Sequence, residues 1–217
     1  MCGRFVQYFE EVVLAKLLGL DTLDASQVFR NFNVAPTQGV AAVRLSPEGK
    51  RQLVPFRWGL VPSWADDLSI GQKLINARAE TAAEKPSFRS AFKHRRCLLP
   101  AAGFFEWTGK AGKKQPYFIT SVDSKPLVFA GLWERWEKGP EPVESCTILT
   151  TDANEFMHGL HTRMPVILAQ ADFDRWLRDG DRSLLQPCPE GVLKAFPVTT
   201  AVNNVRNNNP DCLLPMG

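Results

Sequence analysis

The stretch that decides the fold is RCLLPAAGFFEWTGKAGKKQPYFITSVDSKPLVFAGLW, residues 96–133. It contains apolar and aromatic runs at 96–107, 116–121 and 127–133, separated by turn signals at 109–112 and 122–125. Short apolar runs divided by Gly-rich or polar turns are typical of consecutive antiparallel strands. The stretch therefore predicts a meander of strands in the middle of the chain.

The same pattern continues on both sides of this stretch. We predict further strands at 3–8, 40–45, 52–58, 145–151, 164–169 and 195–199, with a hairpin tip at 46–49. Helices are expected at 9–18, 87–93 with Ser87 as its cap, 171–177, 181–186 and 190–194. Because strands outnumber helices and do not alternate with them regularly, we predict an α+β fold. It would be one strand-rich domain spanning residues 1–217, with a curved antiparallel sheet or open barrel and a few short helices.

Composition limits the class of protein. The chain has 217 residues, of which 44% are hydrophobic, and contains no apolar run long enough to cross a membrane. Arg4, Glu10 and Glu11 stand where a signal peptide would need apolar residues. We therefore expect a cytoplasmic protein, and nothing in the sequence predicts an assembly larger than a monomer.

The five cysteines divide into two kinds. No two of them form a Cys-x-x-Cys pair, so neither a zinc site nor a redox dithiol is predicted. Cys97 and Cys146 lie in apolar runs and are expected to be buried. Cys2 differs, because removal of Met1 would give it a free α-amine beside its thiol. Such a pair can condense with an aldehyde to an imine and then a thiazolidine ring, or the amine can serve as base for the thiol.

Three other segments carry residues suited to chemistry. Asn76 and Arg78 alternate in Ile75-Asn76-Ala77-Arg78, so they would project to one side of an extended chain. Glu106 lies between bulky aromatic residues, where poor solvation would let it exchange protons near neutral pH. His158 and His161 precede a predicted strand, and a histidine there can act as acid or base. No carboxylate or thiolate accompanies them, so we predict no metal site and no cofactor.

Positive charge is concentrated in one part of the chain. Between Lys85 and Lys114 eight lysines and arginines accompany a single acid, Glu106, although the net charge of the chain is only +3. Such a stretch could bind phosphates, or it could be an ordinary solvated surface. Trp64, in a turn-rich segment, is a candidate for stacking on a base. The Asn-rich segment 203–209 could be either a frayed tail or a loop folded over a site.

Six segments, taken together and in order, resemble the SRAP (SOS response-associated peptidase) family. They are Met1-Cys2-Gly3-Arg4-Phe5, Asn33-Val34-Ala35-Pro36, Trp58-Gly59-Leu60-Val61-Pro62, Ile75-Asn76-Ala77-Arg78-Ala79-Glu80-Thr81, Gly103-Phe104-Phe105-Glu106-Trp107 and His161-Thr162-Arg163-Met164-Pro165. The resemblance continues to the 202–207 segment and so covers essentially the whole chain. It implies capture of abasic sites in single-stranded DNA during the DNA damage response, through a thiazolidine DNA–protein crosslink.

The resemblance also implies roles for individual residues. Cys2 would be the nucleophile, and Asn76 would orient Cys2 and the sugar. Glu106 would move protons at the amine and the ring-opened sugar, and His161 would assist ring opening. The family also has an older peptidase label, linked to removal of its own leading residue. Opening of the imine by β-elimination would give a lyase activity instead of the crosslink.

The same resemblance implies residues that hold DNA. Arg78, Arg4 and Arg163 would each contact a phosphate, and Trp64 lies where the details of DNA binding are least determined. Two other functions are consistent with the residues. One is an amidohydrolase with an N-terminal cysteine nucleophile, in which Arg78 binds a substrate carboxylate. The other is a protein that reads modified DNA bases without forming a covalent bond.

Overall fold

The computed structural model describes residues 2–21, 23–24, 26, 28, 30–110 and 113–216. These residues form strands β1 Phe5–Gln7, β2 Asn31–Val34, β3 Gly39–Leu45, β4 Arg51–Trp58, β5 Asn76–Arg78, β6 Arg96–Ala101, β7 Gly103–Thr108, β8 Gln115–Ser121, β9 Leu127–Trp136, β10 Val143–Asp152, β11 Arg163–Pro165 and β12 Leu193–Pro197. The α-helices are α1 Glu11–Leu18, α2 Ala79–Ala82, α3 Arg89–His94 and α4 Glu155–His158. Short 3-10 turns lie at Leu68–Lys73, Gln170–Asp172, Arg182–Leu184, Thr200–Asn203 and Pro210–Leu213, and a π-helical turn at Arg175–Asp179.

The strands form two sheets. The first has the order β12-β8-β7-β1-β2, and all of its neighbouring strands are antiparallel. In the second, β10, β4, β3, β6 and β9 pair in that order, and β9 pairs back onto β10, so these five strands close into a barrel. Closure removes the exposed edges that an open sheet would leave. The strand-rich α+β prediction is confirmed, with one difference: β10 runs parallel to β4 and to β5.

The predicted strand at 96–107 is divided between the two sheets. β6 belongs to the barrel and β7 to the five-stranded sheet, with Ala102 between them. Gln7 of β1 is fully buried beside this division. Its amide donates to the carbonyls of Ala41, 2.8 Å away, and Pro100, 2.9 Å away. A single buried side chain thus connects the first sheet to two barrel strands, and its hydrogen bonds offset the cost of burying the amide.

Alternate residues along the barrel strands pack into different clusters, as strand periodicity requires. One cluster contains Leu98, Val128 and Leu149 together with the buried faces of α1 and α3. The other contains Leu99, Phe129 and Ile148 together with residues of the first sheet and with Cys2. The N-terminal segment is therefore packed into the apolar layer that joins the two sheets. Cys97 and Cys146 are fully buried, as predicted, and so is Trp58.

Some local predictions were wrong. Ser87 does not cap α3, which begins at Arg89 after Phe88 and has no side-chain cap. No helix forms at 190–194: Gly191 adopts a left-handed conformation with φ 79°, and β12 begins at Leu193 to pair with β8. Two strands, β2 and β5, were not predicted as such. The 46–49 tip joins β3 to its partner β4, and the 122–125 tip joins the successive strands β8 and β9. Of the predicted tip at 109–112, residues 111–112 lie outside the described residues.

None of the described helices is long and apolar enough to cross a membrane. In the described part of the chain there is also no group of three or more His, Cys, Asp or Glu side chains arranged to hold a metal ion.

Candidate active site

Cys2 lies immediately before β1 and is fully buried. β1 is held between β2 and β7, and the segment before it continues alongside β7, where the Phe105 N–H donates to the Arg4 carbonyl at 2.9 Å. Burial raises the pKa of the Cys2 thiol well above its usual value, and the nearby Glu106 carboxylate raises it further. The sulfur is therefore held as a neutral thiol near neutral pH.

Asn76 connects Cys2 to the second sheet. It is the first residue of β5, which pairs in parallel with β10 through Ile148. The Asn76 side-chain amide donates to the Cys2 carbonyl at 2.8 Å, which fixes the backbone of the cysteine. Its other polar atom, Oδ1, is buried and accepts no hydrogen bond from the described residues. That oxygen is available to an incoming hydroxyl or amine.

Glu106 is buried in β7, with 4% of its surface exposed. It lies between Phe105, which is fully buried, and Trp107, whose indole N–H donates to Asn203 Oδ1 at 2.7 Å. A carboxylate in such surroundings has little water to stabilise its charge. The sequence argument for a poorly solvated carboxylate therefore agrees with its environment, and the charge of this carboxylate contributes to the raised pKa of the Cys2 thiol.

Arg4 is anchored in place by Asn33. Arg4 Nη1 donates to Asn33 Oδ1 at 2.6 Å and to the Val202 carbonyl at 2.9 Å, while its guanidinium lies 5.8 Å from the Trp107 ring. Arg4 and Trp107 line a cleft of about 660 Å³ together with Lys113, Lys114, Thr200 and Asn203. Desolvation lowers the Arg4 pKa, although a guanidinium remains charged at neutral pH.

Asn33 is 1% exposed, and it was missed as a site residue in the sequence. Its amide donates to the carbonyls of Val202 at 3.2 Å, Asn204 at 3.0 Å and Asn207 at 2.9 Å. The Asn-rich segment is therefore a loop folded against β2, not a frayed tail. The available signal was an amide residue next to apolar Val34 in a strand-like run, where a buried polar group needs partners.

Arg78 and Trp64 lie near each other on the surface. Arg78, at the end of β5, is exposed and precedes α2. A groove of about 330 Å³ is lined by Asn76, Arg78, Lys85 and Pro86, among others. Trp64 is 52% exposed, and its indole N–H lies 3.5 Å from the Pro86 carbonyl. The groove therefore combines two exposed cations, Arg78 and Lys85, with the amide that holds Cys2, and the half-exposed Trp64 indole reaches its edge at Pro86.

His161 lies in the loop between α4 and β11. Its Nδ1 accepts a hydrogen bond from the Arg163 backbone N–H at 2.9 Å, so the neutral ring carries its proton on Nε2. The neighbouring Met157 and Met164 belong to the same apolar cluster as Cys2. The structure thus places the histidine loop against the layer that contains the cysteine, while Asn76 and Glu106 interact with Cys2 itself.

Arg163 has a different environment from the one expected for a phosphate ligand. Its guanidinium is bound by Glu80 at 2.7 and 2.8 Å, by Asp152 at 2.6 Å and by the Thr150 carbonyl at 2.7 Å. Only 11% of the side chain is exposed, and the hydrogen bonds to Glu80 raise its pKa. Because two carboxylates already compensate its charge, this arginine positions β11 and α2. The sequence could not show this, since Glu80 and Asp152 are distant in the chain.

Comparison with known proteins identifies the family. The family model described as SOS response associated peptidase (SRAP) matches residues 1–205. This chain belongs to the SRAP family. Abasic site processing protein YoqW of Bacillus subtilis (strain 168) is 40% identical over 223 residues, covering 98% of this chain and 99% of that protein. Abasic site processing protein YedK of Escherichia coli (strain K12) is 31% identical over 229 residues, covering 100% of both chains.

Two further similarities cover only part of a relative's length or come from a solved structure. Abasic site processing protein HMCES of Gallus gallus is 37% identical over 198 residues, which cover 77% of this chain and 58% of that protein. A crystal structure of a protein from Bacteroides thetaiotaomicron superposes with a TM-score of 0.85 at 26% identity, covering 99% of this SRAP chain and 100% of that one. The two-sheet architecture is therefore shared with solved structures.

Proposed function

We propose that this SRAP protein captures abasic sites in single-stranded DNA through Cys2, as a covalent thiazolidine, and acts as a single domain and a monomer. The observation that carries the proposal is the position of Asn76. It lines the basic groove and at the same time donates its hydrogen bond to Cys2. A strand lying on Arg78 and Trp64 would therefore bring a sugar to the cysteine.

The state of the thiol supports a particular order of steps. The raised pKa of Cys2 disfavours a thiolate, whereas a free α-amine titrates at about 7.7–8.0 and is partly unprotonated at neutral pH. The amine therefore attacks the sugar aldehyde first, and loss of water gives an imine. The thiol then adds to the protonated imine: sulfur bonds to carbon, the π electrons of the C=N bond become the nitrogen lone pair, and the thiol proton returns to the acid that protonated the departing hydroxyl. One water is released overall.

The neighbouring residues have distinct tasks in this scheme. Glu106 donates a proton to the departing hydroxyl and accepts one from the thiol, whose pKa its charge helps to raise. Asn76 Oδ1 accepts a hydrogen bond from the amine or the sugar. His161, with its proton on Nε2, assists opening of the sugar ring. Arg78 and Arg4 hold phosphates, which leaves Arg163 as a structural residue.

The buried thiol also bears on the amidohydrolase alternative. An N-terminal cysteine hydrolase attacks an acyl carbon with sulfur, and a thiol with a raised pKa in an apolar cluster is poorly suited to that role. Amine-first capture of an aldehyde does not need a thiolate, because the sulfur reacts only with an imine that is already formed.

The test is a denaturing gel of the protein with a single-stranded oligonucleotide containing one abasic site. We expect a shifted band that survives heating in detergent and is lost in Cys2→Ala and in a variant with one residue inserted before Cys2. Cys188→Ser is the matched control, because it removes a thiol of the same apolar cluster that has no α-amine beside it, and it should crosslink normally. Glu106→Gln and His161→Ala should slow the reaction. Full crosslinking by Cys2→Ala would refute the proposal, and binding without any crosslink would favour the non-covalent alternative.

A further inference from the structure

A second basic depression lies beside α3, separate from the groove at Asn76. This cleft has a volume of about 560 Å³, and its polar lining includes Arg89, Lys93, His94, Arg96, Asp179 and Arg182. It is bounded by α3 on one side and by the helical turns around Gly180 on the other. None of these residues has a part in the chemistry proposed for Cys2.

Some cations at and near the cleft stabilise the fold, whereas others are open to a ligand. Arg95 is paired with Glu134 at 2.7 Å. Arg96 donates to backbone carbonyls at the ends of α3 and of the π-helical turn, among them Phe92 at 2.9 Å and Arg178 at 2.9 Å. These two arginines therefore stabilise the fold, and their charge is largely compensated.

The remaining cations are exposed and available. Arg89, Lys93 and Arg182 are exposed, and within the described residues no carboxylate forms an ion pair with them. Asp179 is the one acid among the residues lining the cleft. Phe92 is 8% exposed and lies beneath the Arg182 guanidinium, 5.7 Å away, so the Phe92 ring is not open to a base. The chemistry of the cleft suits phosphates and gives no means of reading bases.

The cleft adjoins the groove through a short segment of chain. Ala83 and Arg89 line the cleft, whereas Lys85 and Phe88 line the groove that contains Asn76. The two depressions therefore lie on either side of residues 83–89. A strand that leaves the groove across this segment would place its backbone over the free cations.

We propose that this cleft binds backbone phosphates of the single strand flanking the abasic site, at a distance from the reacting sugar. The proposal rests on the proposed function and lengthens the stretch of single-stranded DNA that the protein contacts. Contacts of this type are independent of sequence and release counterions, so they raise affinity in a strongly salt-dependent way. The cleft would hold the protein on an extended strand before the lesion reaches Cys2.

The experiment measures binding of undamaged single strands, so it does not depend on the crosslinking chemistry. One oligonucleotide has about 5 nucleotides and fits the groove; the other has about 30, longer than common single-strand footprints of about 4–16. We compare the wild type, Arg89→Gln/Lys93→Gln, and a control with the same charge change, Lys16→Gln/Lys50→Gln. Both control lysines are exposed and line neither the cleft nor the groove.

We expect the cleft variant to bind the long strand about tenfold more weakly, with the slope of log K against log salt reduced by about 1.4. Its affinity for the short strand and its yield of crosslink to a short abasic oligonucleotide should match the wild type. Unchanged long-strand affinity and salt slope, or an equal loss in the control variant, would overturn the proposal. A wild type that binds the long strand but forms no crosslink would refute the proposed function and leave the cleft assignment supported.

Discussion

Asn33→Leu should destabilise the protein more than a typical surface change. The substitution keeps the approximate size of the side chain but removes the amide that contacts the carbonyls of Val202, Asn204 and Asn207 and accepts from Arg4. Each such bond contributes about 1 kcal/mol net, and a buried partner left without a hydrogen bond costs more. Because the Asn-rich loop is at the surface, water can hydrogen-bond to some of the backbone carbonyls that lose the Asn33 amide. The expected loss is about 2–4 kcal/mol.

The loss can be measured by urea unfolding, with thermal unfolding as a second probe. For a domain of this size, about 2–4 kcal/mol corresponds to a fall in Tm of roughly 5–15 °C. Asn33→Asp is the informative companion variant. It keeps an acceptor for Arg4 but turns a carboxylate toward three carbonyl oxygens, so we expect a loss at least as large. If the interaction with Arg4 were the main contribution, Asn33→Asp would instead be close to the wild type.

The same variant should affect DNA binding through Arg4. Without its partner at 2.6 Å, the guanidinium loses one of its two described hydrogen bonds and can leave the cleft beside Trp107. A double-mutant cycle with Arg4→Ala measures this coupling. Additive effects of the two substitutions on DNA affinity would refute the coupling. A free energy of unfolding for Asn33→Leu within about 0.5 kcal/mol of the wild type would refute the stability argument.

Three further predictions concern other parts of the molecule. Arg163→Met should lower stability by about 1–2 kcal/mol, because its two carboxylate partners are solvent-exposed and each loses only a screened ion pair, yet leave the salt slope of DNA binding unchanged; a reduced slope would restore its phosphate role. Burial raises the pKa of the Cys146 thiol, so its contribution to stability is complete below about pH 8.5 and falls as pH rises, by about 1.4 kcal/mol per unit. Urea unfolding across that range should show a shallower fall in Cys146→Ala, and equal slopes would contradict the burial argument. Gly103→Ala should prevent native pairing of β7 with β8, because its methyl group would collide with the Phe118 ring and the Ile119 carbonyl; a native circular dichroism spectrum and an unchanged Tm would argue against this.

Much of the strand content could be predicted because each run was short, apolar and bounded by turn residues. The division of 96–107 could not, because its cause lies elsewhere in the chain. Gln7 binds the Pro100 carbonyl and Val6 accepts from Ala102, so the strand changes sheets where β1 meets it. Local periodicity carries no information about such a partner. The closure of β9 onto β10 is likewise a property of the whole sheet.

For the site residues too, the sequence indicated the chemistry of each side chain but not its partners from distant parts of the chain. Cys2, Asn76 and Glu106 could be proposed from their chemistry, and the fold brings them together. The burial of Cys2 was not foreseen, because Met1-Cys2-Gly3 looks like an exposed end. The sequence around Arg163, whose phosphate role is implied by the family resemblance, gives no sign of the Glu80 and Asp152 carboxylates that bind it. Ion pairs between distant segments are set by tertiary structure and cannot be read from spacing.

The burial of Cys2 has a consequence for how the site discriminates between substrates. A thiolate at the surface would react with many electrophiles, whereas a neutral thiol in an apolar cluster reacts only with a partner brought to it. Asn76 fixes the cysteine backbone and also borders the basic groove, so one side chain links the groove to Cys2. Under the proposed mechanism, selectivity would come from two conditions met together: an aldehyde that the amine can capture, and a phosphate backbone that holds it at the groove long enough for sulfur to close the ring.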